Sequence, residues 1–478
     1  MAKDLRTFIS EIMERRPDEL KMVTEEVDAR FGITAVAEAL ERRGQFPAVY
    51  FQRVRGSELP AVVNLTATYE RLALALGTTT DRMVQVYAER QGQPVPPHVV
   101  DSGPVKDVIW TGADADVSRL PIPTHNALDG GPYLTGASLV ARDPVSGTLN
   151  VGLYRHQIHG PDRIGVWFIT GHHGDYIRQR YEELKRPMPV AMIVGHHPAA
   201  IMGTISRLPG MGGEYEEAGA LLGESIELVK CETSDLLVPA RAEIVIEGVI
   251  EPGERAEEGP FAEWPGHYTE HGPKPVIRVS AITMRRDAIF YDVFAGHREH
   301  CVLGSLPRMG SIYRRVKQVV PGLKAVNVPA HVRMHCYISY TKTNEAEAKK
   351  AAFAALLTEP ENLKAVILVD DDIDVFNEPE VMWAVGTRFR ADKDLQIIHD
   401  WSGPGGLNPS GWDYFPDGHK EPRMTAAMIL DATKPCAPAE WPPRAQVPED
   451  EIDAVDLDRI LQPYSSRRPE RQPAGARG

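Results

Sequence analysis

Residues 243–263 read Glu243-Ile-Val-Ile-Glu-Gly-Val-Ile-Glu-Pro-Gly-Glu-Arg-Ala-Glu-Glu-Gly-Pro-Phe-Ala-Glu263. The first part, Glu243–Ile250, is rich in β-branched residues and predicts a strand. The last part, from Glu257 through Glu263 to Trp264-Pro-Gly266, predicts a loop pinned by glycine and proline. Such a loop is too rigid to be a solvated run of charge. Paired carboxylates held on it can take the roles of acid and base. The plain alternative is a surface turn.

Working outward, residues 117–310 are strand-rich and glycine-rich. Further strands are predicted at Gly136–Val140, Leu149–Arg155, Arg163–Thr170, Val190–Val194, Val276–Met284 and Ala288–Val293. Helical patches fall at Asp175–Leu184 and Glu216–Gly223. Mixed strands with short loops predict a barrel or a packed sheet. No GxGxxG follows a strand, so the dinucleotide-binding fingerprint is missing. On the N-terminal side, residues 3–43 read as helical, followed by short strands near Ala48 and Ala61 and helices over Tyr69–Leu76 and Thr80–Gln91. On the C-terminal side, Arg333–Tyr340, Ala365–Val369 and Asp394–His399 alternate as strands with helices Glu345–Leu357 and Glu378–Thr387. That rhythm predicts an α/β domain. A proline-rich end follows, with one acidic helical piece over Glu449–Leu461 and an arginine-bearing tail, Ser465–Gly478, expected to be disordered or partner-bound.

Composition narrows the function. Among 478 residues, 53 Lys and Arg face 67 Asp and Glu, a balance of −14 that argues against a general nucleic-acid binder. The four cysteines lie far apart without a CxxC pair, so neither a disulfide framework nor a zinc ribbon is expected. The charged first residues hold no apolar signal core, and no run approaches the length of about 18 apolar residues that spans a membrane. A cytoplasmic protein with reduced thiols is the expectation.

Four further constellations carry polar chemistry. Two histidine pairs, His172-His173 and His196-His197, offer metal ligands, although neighbours on a strand point to opposite faces. His196-His197 stands before Pro198 at a strand end and reads as structural. Asn150 and Arg155 lie five apart, so both reach one site only across a bulge or bend. Glu214 follows a glycine-rich turn, where it caps a helix or ligates a hard cation. His297-Arg298-Glu299-His300 lacks zincin spacing; it is an anion site or plain surface.

Together these segments resemble the UbiD family of decarboxylases over residues 5–435. The resemblance is carried by Asp129-Gly-Gly-Pro-Tyr133, Asn150-Val-Gly-Leu-Tyr-Arg155, Pro198-Ala-Ala, Gly213-Glu-Tyr215, Leu222-Gly-Glu-Ser225 and Val229-Lys-Cys-Glu-Thr-Ser-Asp-Leu236. It continues through Val238-Pro-Ala, Glu243–Gly248, Glu258-Gly-Pro-Phe261 and Asp371-Asp-Ile-Asp374. Two departures stand out. Ala262 and Trp264 flank the second acid where relatives often differ, and no counterpart is evident for a Lys that many members use as a C-terminal flavin contact, Lys420 or Arg423 being the substitutes at hand.

The resemblance implies an α/β (α+β) fold with a split β-barrel flavin-binding domain between two α/β parts. Its boundaries are an N-terminal α/β segment over 1–115, the prenylated-FMN domain over 116–312, a C-terminal α/β dimerisation domain over 313–435 and a tail over 436–478. It implies a reversible non-oxidative decarboxylase of an aromatic or heteroaromatic acid of furan, pyrrole or hydroxybenzoate type. In the family, a covalent substrate–cofactor adduct forms and is protonated by a glutamate. Arg155, Glu258 and Glu263 match the catalytic set, with Glu263 the candidate proton donor. Residues 150–155 (Asn150, Val151, Gly152, Leu153, Tyr154, Arg155) with His172, His173 and Glu214 match the cofactor contacts. Asn150, His173 and Glu214 match the ligands of Mn²⁺ or a similar cation, with His172 the other choice for the histidine. K⁺ is a further candidate ion. His297, Arg298 and His300 fall where the family's substrate pocket varies. Expected partners are the acid substrate, a flavin prenyltransferase that supplies the cofactor, and further copies in a homodimer or homohexamer. The competing readings are a cinnamate-like α,β-unsaturated acid decarboxylase, a non-catalytic flavin-binding or assembly protein, and a metal hydrolase.

Overall fold

The stretch quoted above becomes one strand, Ile244–Glu258, fifteen residues long, that pairs antiparallel with Gly272–Met284. It runs well past the expected end at Ile250, because register shifts at Glu247/Gly248 and between Ile250 and Arg255 absorb a bend without ending the ladder. Gly248 sits at the first shift, where a Cβ would lie 2.4 Å from the Arg278 carbonyl. The strand thereby delivers Glu258 at its last position.

The computed structural model describes residues 2–206, 210–269, 271–402, 407–417, 419–436 and 441–461. The fold is mixed α/β. Its centre is a nine-stranded antiparallel sheet in the order Tyr133–Leu134, His156–Gly160, Arg163–Val166, Gly272–Met284, Ile244–Glu258, Met188–Val194, Ala137–Arg142, Leu149–Leu153, with Val108–Thr111 paired to Gly272–Met284. The inward residues Ile164, Val190, Met192, Ile244, Ile246, Ile277 and Ile282 are buried in one core with Phe51 and Phe290 of the neighbouring sheet. That neighbour is four-stranded: Leu20–Val27, Ala48–Val54, Ala61–Val63 and Phe290–Tyr291. A five-stranded sheet follows in the order Leu323–Asn327, His335–Tyr340, Ala365–Asp370, Thr425–Ala432, Leu395–Ser402. Its inner pairings are parallel, as the βαβ rhythm implies.

Four expectations are corrected. Residues 3–43 are not continuously helical: helices Leu5–Arg15 and Gly32–Glu41 enclose the strand Leu20–Val27, which pairs in parallel with Ala48–Val54. The predicted strand Ala288–Val293 shrinks to Phe290–Tyr291 and joins Ala61–Val63 in the N-terminal sheet. A 22-residue helix, Arg298–Val319, was not foreseen, since Gly304, Pro307 and Gly310 interrupt its pattern. The acidic piece over Glu449–Leu461 is two short helices, Glu449–Asp453 and Leu457–Ile460. These belong to a second unit, 435–478, apart from the unit over 1–434. The tail Ser465–Gly478 lies outside the described residues. No described helix is long and apolar enough to cross a membrane.

Candidate active site

The segment Asn150–Arg155 organises two clusters. The strand Leu149–Leu153 ends, Tyr154 and Arg155 leave the ladder, and pairing resumes at His156–Gly160. This break does not bring the two residues to one site. It turns Asn150 to one cluster and Arg155 to another.

Arg155 is buried, and all three of its nitrogens are used. Nε and Nη2 donate to the two oxygens of Glu258 at 2.9 and 2.7 Å. Nη1 donates to Glu263 Oε1 at 3.0 Å and to Thr269 Oγ1 at 2.7 Å. The guanidinium lies 3.7 Å from the centroid of the Trp167 ring, and Phe261 lies at 5.0 Å. Glu258 is fully enclosed, and its Oε1 also accepts from the Tyr133 hydroxyl at 3.0 Å. Tyr133 stands 3.1 Å from Gln157 Oε1, which in turn accepts from the Gly259 amide at 2.9 Å. Glu263 differs: it accepts one side-chain bond, from Arg155, and its side chain keeps 13% of its exposure.

The acid loop is mounted on a second glycine turn. Gly130 N–H donates to the Pro260 carbonyl at 2.8 Å, and Ala262 N–H donates to Asp129 Oδ1 at 3.0 Å. A Cβ on Gly130 would fall 2.3 Å from the Gly259 oxygen, so only glycine lets the two backbones approach. Asp129-Gly-Gly-Pro-Tyr133 therefore holds Glu258 and Glu263 in place by both backbone and side chain.

The second cluster holds Asn150 and Glu214. Asn150 Nδ2 donates to Glu214 Oε1 at 2.9 Å, and both residues are buried. Glu214 opens the helix Glu214–Leu222 after Gly213 in the left-handed region. Burial pushes its carboxyl up, opposed by its own backbone N–H, the Asn150 amide and the Val151 N–H. No cationic side chain figures among these partners. His173 opens the helix His173–Glu183 and is half-buried, while His172 is exposed one residue before. Tyr154 links the two helix starts. Its hydroxyl accepts from the Gly174 N–H, and burial, with the Glu214 and Asp175 charges, pushes it up to about 12. A Cβ on Gly174 would lie 2.4 Å from that oxygen. Among the described residues, no group of three or more His, Cys, Asp or Glu side chains converges as a metal site. The donors present are an amide oxygen and a buried carboxylate, which suit a hard cation. Two helix N-termini beside them suit a phosphate.

The residues 297–300 divide. His297 stacks on Phe294 with centroids 3.6 Å apart and places Nδ1 3.2 Å from Glu41. Arg298 turns to the N-terminal segment, donating to the Ala67 carbonyl at 3.0 Å and lying over Phe46. Glu299 is enclosed and accepts from the Asn64 and Thr66 amides. His300 accepts from the Gly296 N–H, and burial, with the Arg333 charge and those of His125 and Arg308, lowers it to about 3. Its ring is neutral. Gly296 abuts the acid loop, its Cβ position 3.4 Å from the Glu263 carbonyl. Among the described residues, the contacts of Arg298 are with Ala67 and Phe46, not with the Arg155 cluster.

The His196-His197 pair is structural, as expected: both are buried, and His197 Nδ1 accepts from the Ala199 N–H at the start of the helix Pro198–Thr204. Lys420 lies over Trp412 and Arg423 pairs with Asp413, on the short hairpin formed by Trp412–Tyr414 and Lys420–Pro422. Tyr133, Gln157, Trp167 and Thr269 had no role in the sequence reading. The quoted Asp129–Tyr133 motif was the available signal for Tyr133.

Three family models cover the chain: the 3-octaprenyl-4-hydroxybenzoate carboxy-lyase N-terminal domain at residues 13–91, its Rift-related domain at 98–298 and its C-terminal domain at 301–413. The chain is 33% identical over 467 residues to the phenolic acid decarboxylase of Sedimentibacter hydroxybenzoicus, covering 93% of this chain and 94% of that one. It is 32% identical over 438 residues to the anhydromevalonate phosphate decarboxylase of Methanothermobacter thermautotrophicus, covering 91% and 98%. Its fold matches an evolved dimeric form of the UbiD-class enzyme HmfF from Pelotomaculum thermopropionicum, solved with prenylated FMN, at a TM-score of 0.86 and 35% identity over 96% of this chain and 100% of that one.

Proposed function

The chain belongs to the UbiD family of carboxy-lyases, and on that premise we propose that it decarboxylates an aromatic or heteroaromatic carboxylic acid, reversibly and without net oxidation, using prenylated FMN and a divalent metal. The observation that carries this reading is the closed Arg155–Glu258–Glu263 arrangement beside Trp167 and Phe261. A guanidinium held in plane by Glu258 and flanked by aromatic rings can offer its remaining N–H to the carboxylate of an aromatic acid.

Loss of CO2 from such an acid leaves charge that no side chain can accept, and the prenylated flavin supplies that electron sink when bound. The rest falls to the chain. Arg155 orients the substrate carboxylate by giving up its looser bond, to Glu263, while its fork stays closed on Glu258. Glu258 keeps the guanidinium plane fixed, itself held by Tyr133. Glu263, with one oxygen free of side-chain donors, carries the proton to the product carbon. Trp167 and Phe261 exclude water from Arg155. Asn150 and Glu214, with His173, would hold the metal, whose charge would offset those of Glu214 and the cofactor phosphate. Mn²⁺ suits this oxygen-rich donor set, and K⁺ is a further candidate. His300, neutral, offers hydrogen bonding to a ring substituent or heteroatom without adding charge. A flavin prenyltransferase is the expected cofactor source.

A second substrate class is kept by one finding. The relative named for anhydromevalonate phosphate, an acid without an aromatic ring, is as similar to this chain as the phenolic acid decarboxylase. The test is co-expression with a flavin prenyltransferase, followed by an absorbance spectrum, cofactor mass and CO2 release from furan, pyrrole, hydroxybenzoate and acyclic unsaturated acids. The expected result is a coloured protein active on the cyclic acids. A colourless protein sinks the flavin reading, and turnover of the acyclic acids alone replaces the substrate class.

A further inference from the structure

Trp264 follows the candidate proton donor directly, and its side chain packs against the core. The loop turns tightly here, with Glu263 N–H donating to the His267 carbonyl at 3.0 Å and Gly266 N–H to the Glu263 carbonyl at 2.9 Å. The Trp264 ring packs against the core with two guanidinium groups beside it, Arg333 at 4.7 Å and Arg308 at 5.5 Å from its centroid. Its carbonyl accepts from the Cys301 thiol at 3.5 Å. Arg308 and Cys301 lie on the helix Arg298–Val319, and Arg333 precedes the strand His335–Tyr340. The loop that carries Glu263 is therefore tied at its next residue to two other elements.

Arg333 itself is an unusual anchor. It is 7% exposed, its Nη1 reaches the His300 carbonyl at 3.4 Å, the Cys301 sulfur accepts a further bond from it, the Glu263 charge acts on it, and among the described residues its Nε has no hydrogen-bond partner. A buried guanidinium left partly unsatisfied is costly unless another interaction offsets it. The face of an indole supplies such an interaction, strongest where water is excluded. Room for Arg333 is reserved on the helix: a Cβ on Gly304 would lie 2.3 Å from its Nη2. Glycine is a poorer helix former than alanine, so its place there is explained by that contact. Buried Glu359, 3.5 Å from Arg308, carries the opposite charge for the pair.

We propose that Trp264, gripped by Arg333 and Arg308, is a positioning residue that fixes Glu263 relative to Arg155. This rests on the assignment of Glu263 as proton donor. The clamp acts through geometry: a carboxyl with one side-chain bond of its own needs its backbone held, and misplacement by about 1 Å costs up to about 100-fold in rate. Because Glu263 acts in the chemical step, loosening it lowers kcat and leaves KM.

The test uses the flavin-loaded enzyme with Trp264→Leu, Arg333→Gln and Gly304→Ala, and with Trp264→Phe and Arg333→Lys as conservative partners. Gly304→Ala displaces only the flexible end of Arg333, so it perturbs the clamp in a folded protein. Expected are kcat losses of about 10- to 100-fold in the first three at equal flavin occupancy, KM within about twofold in Trp264→Leu, and recovery in the conservative pair. In parallel, ¹⁹F NMR of protein labelled with 5-fluorotryptophan assigns the Trp264 signal as the one that Trp264→Phe removes. Gly304→Ala and Arg333→Gln should both shift that signal. An unshifted signal, or kcat unchanged in Trp264→Leu, overturns the clamp. If the wild type releases no CO2 from any acid, the proposed function fails, and the clamp then stands or falls on the NMR signal.

Discussion

The two ends of Asn150–Arg155 are built on different principles. At the Arg155 end, every guanidinium nitrogen already has an acceptor inside the protein, and the arrangement stands without any ligand. At the Asn150 end, the partners of the buried carboxylate among the described residues are an amide and backbone N–H groups. The first is preorganised chemistry, the second a buried amide–carboxylate pair whose oxygens suit a hard cation. Five residues separate them, so one bent strand couples what the fold completes to what it leaves to the cofactor.

The largest effect should come from opening the closed end. Arg155→Met leaves Glu258 buried without its partner, which costs about 3–5 kcal/mol. Urea unfolding of the cofactor-free protein should show that loss, and turnover should fall below detection. The open end should respond in the opposite sense. Burial has raised the Glu214 carboxyl, so its ionised form costs stability at neutral pH, and Glu214→Gln removes that cost. The cofactor-free variant should melt higher than wild type, by about 2 °C for a chain of this size, while co-expression yields protein with little flavin absorbance. A lower melting point in Glu214→Gln would erase the contrast between the two ends.

Smaller changes sharpen it. Tyr133→Phe removes one neutral donor from Glu258 and leaves the Arg155 fork intact, so a cost of about 1 kcal/mol and a fall in kcat of about tenfold are expected from melting and steady-state rates. The smallest effect lies one turn beyond Glu214. Burial raises Glu217 from the ordinary 4.5 to about 7, against the Ser206 hydrogen bond and the Arg314 charge. The folded state then holds this proton more tightly than the unfolded chain. Wild-type stability contributed by the protonated group is full at low pH and is lost as pH rises through about 7. Glu217→Gln should flatten that slope, so that its melting point gains on wild type between about pH 5 and pH 8.

How much of this was legible depended on whether the information was local. The loop after Glu258 announced itself through Gly259-Pro260 between two acids, whereas the spacing of Asn150 and Arg155 did not disclose that the break at Tyr154 sends them to separate clusters. The alternation over 333–399 marked the C-terminal sheet. The strand Leu20–Val27 was hidden, since Lys21, Glu25 and Glu26 suit a helix and only pairing with Ala48–Val54 makes it a strand. The helix Arg298–Val319 was hidden by glycines that serve its neighbours: Gly310 makes room for Tyr87 as Gly304 does for Arg333. Tyr133 meets Glu258 across 125 residues, a convergence that no local pattern encodes. The placement of Arg298 over Phe46, toward the N-terminal segment, was equally out of reach.

The most direct measurement compares wild type and Glu263→Gln at matched occupancy of prenylated FMN, following CO2 release and deuterium uptake into product from an aromatic acid that the wild type consumes. The account predicts that both proteins bind flavin equally and that the variant loses turnover by about 100-fold or more. Equal turnover and equal deuterium uptake would contradict it.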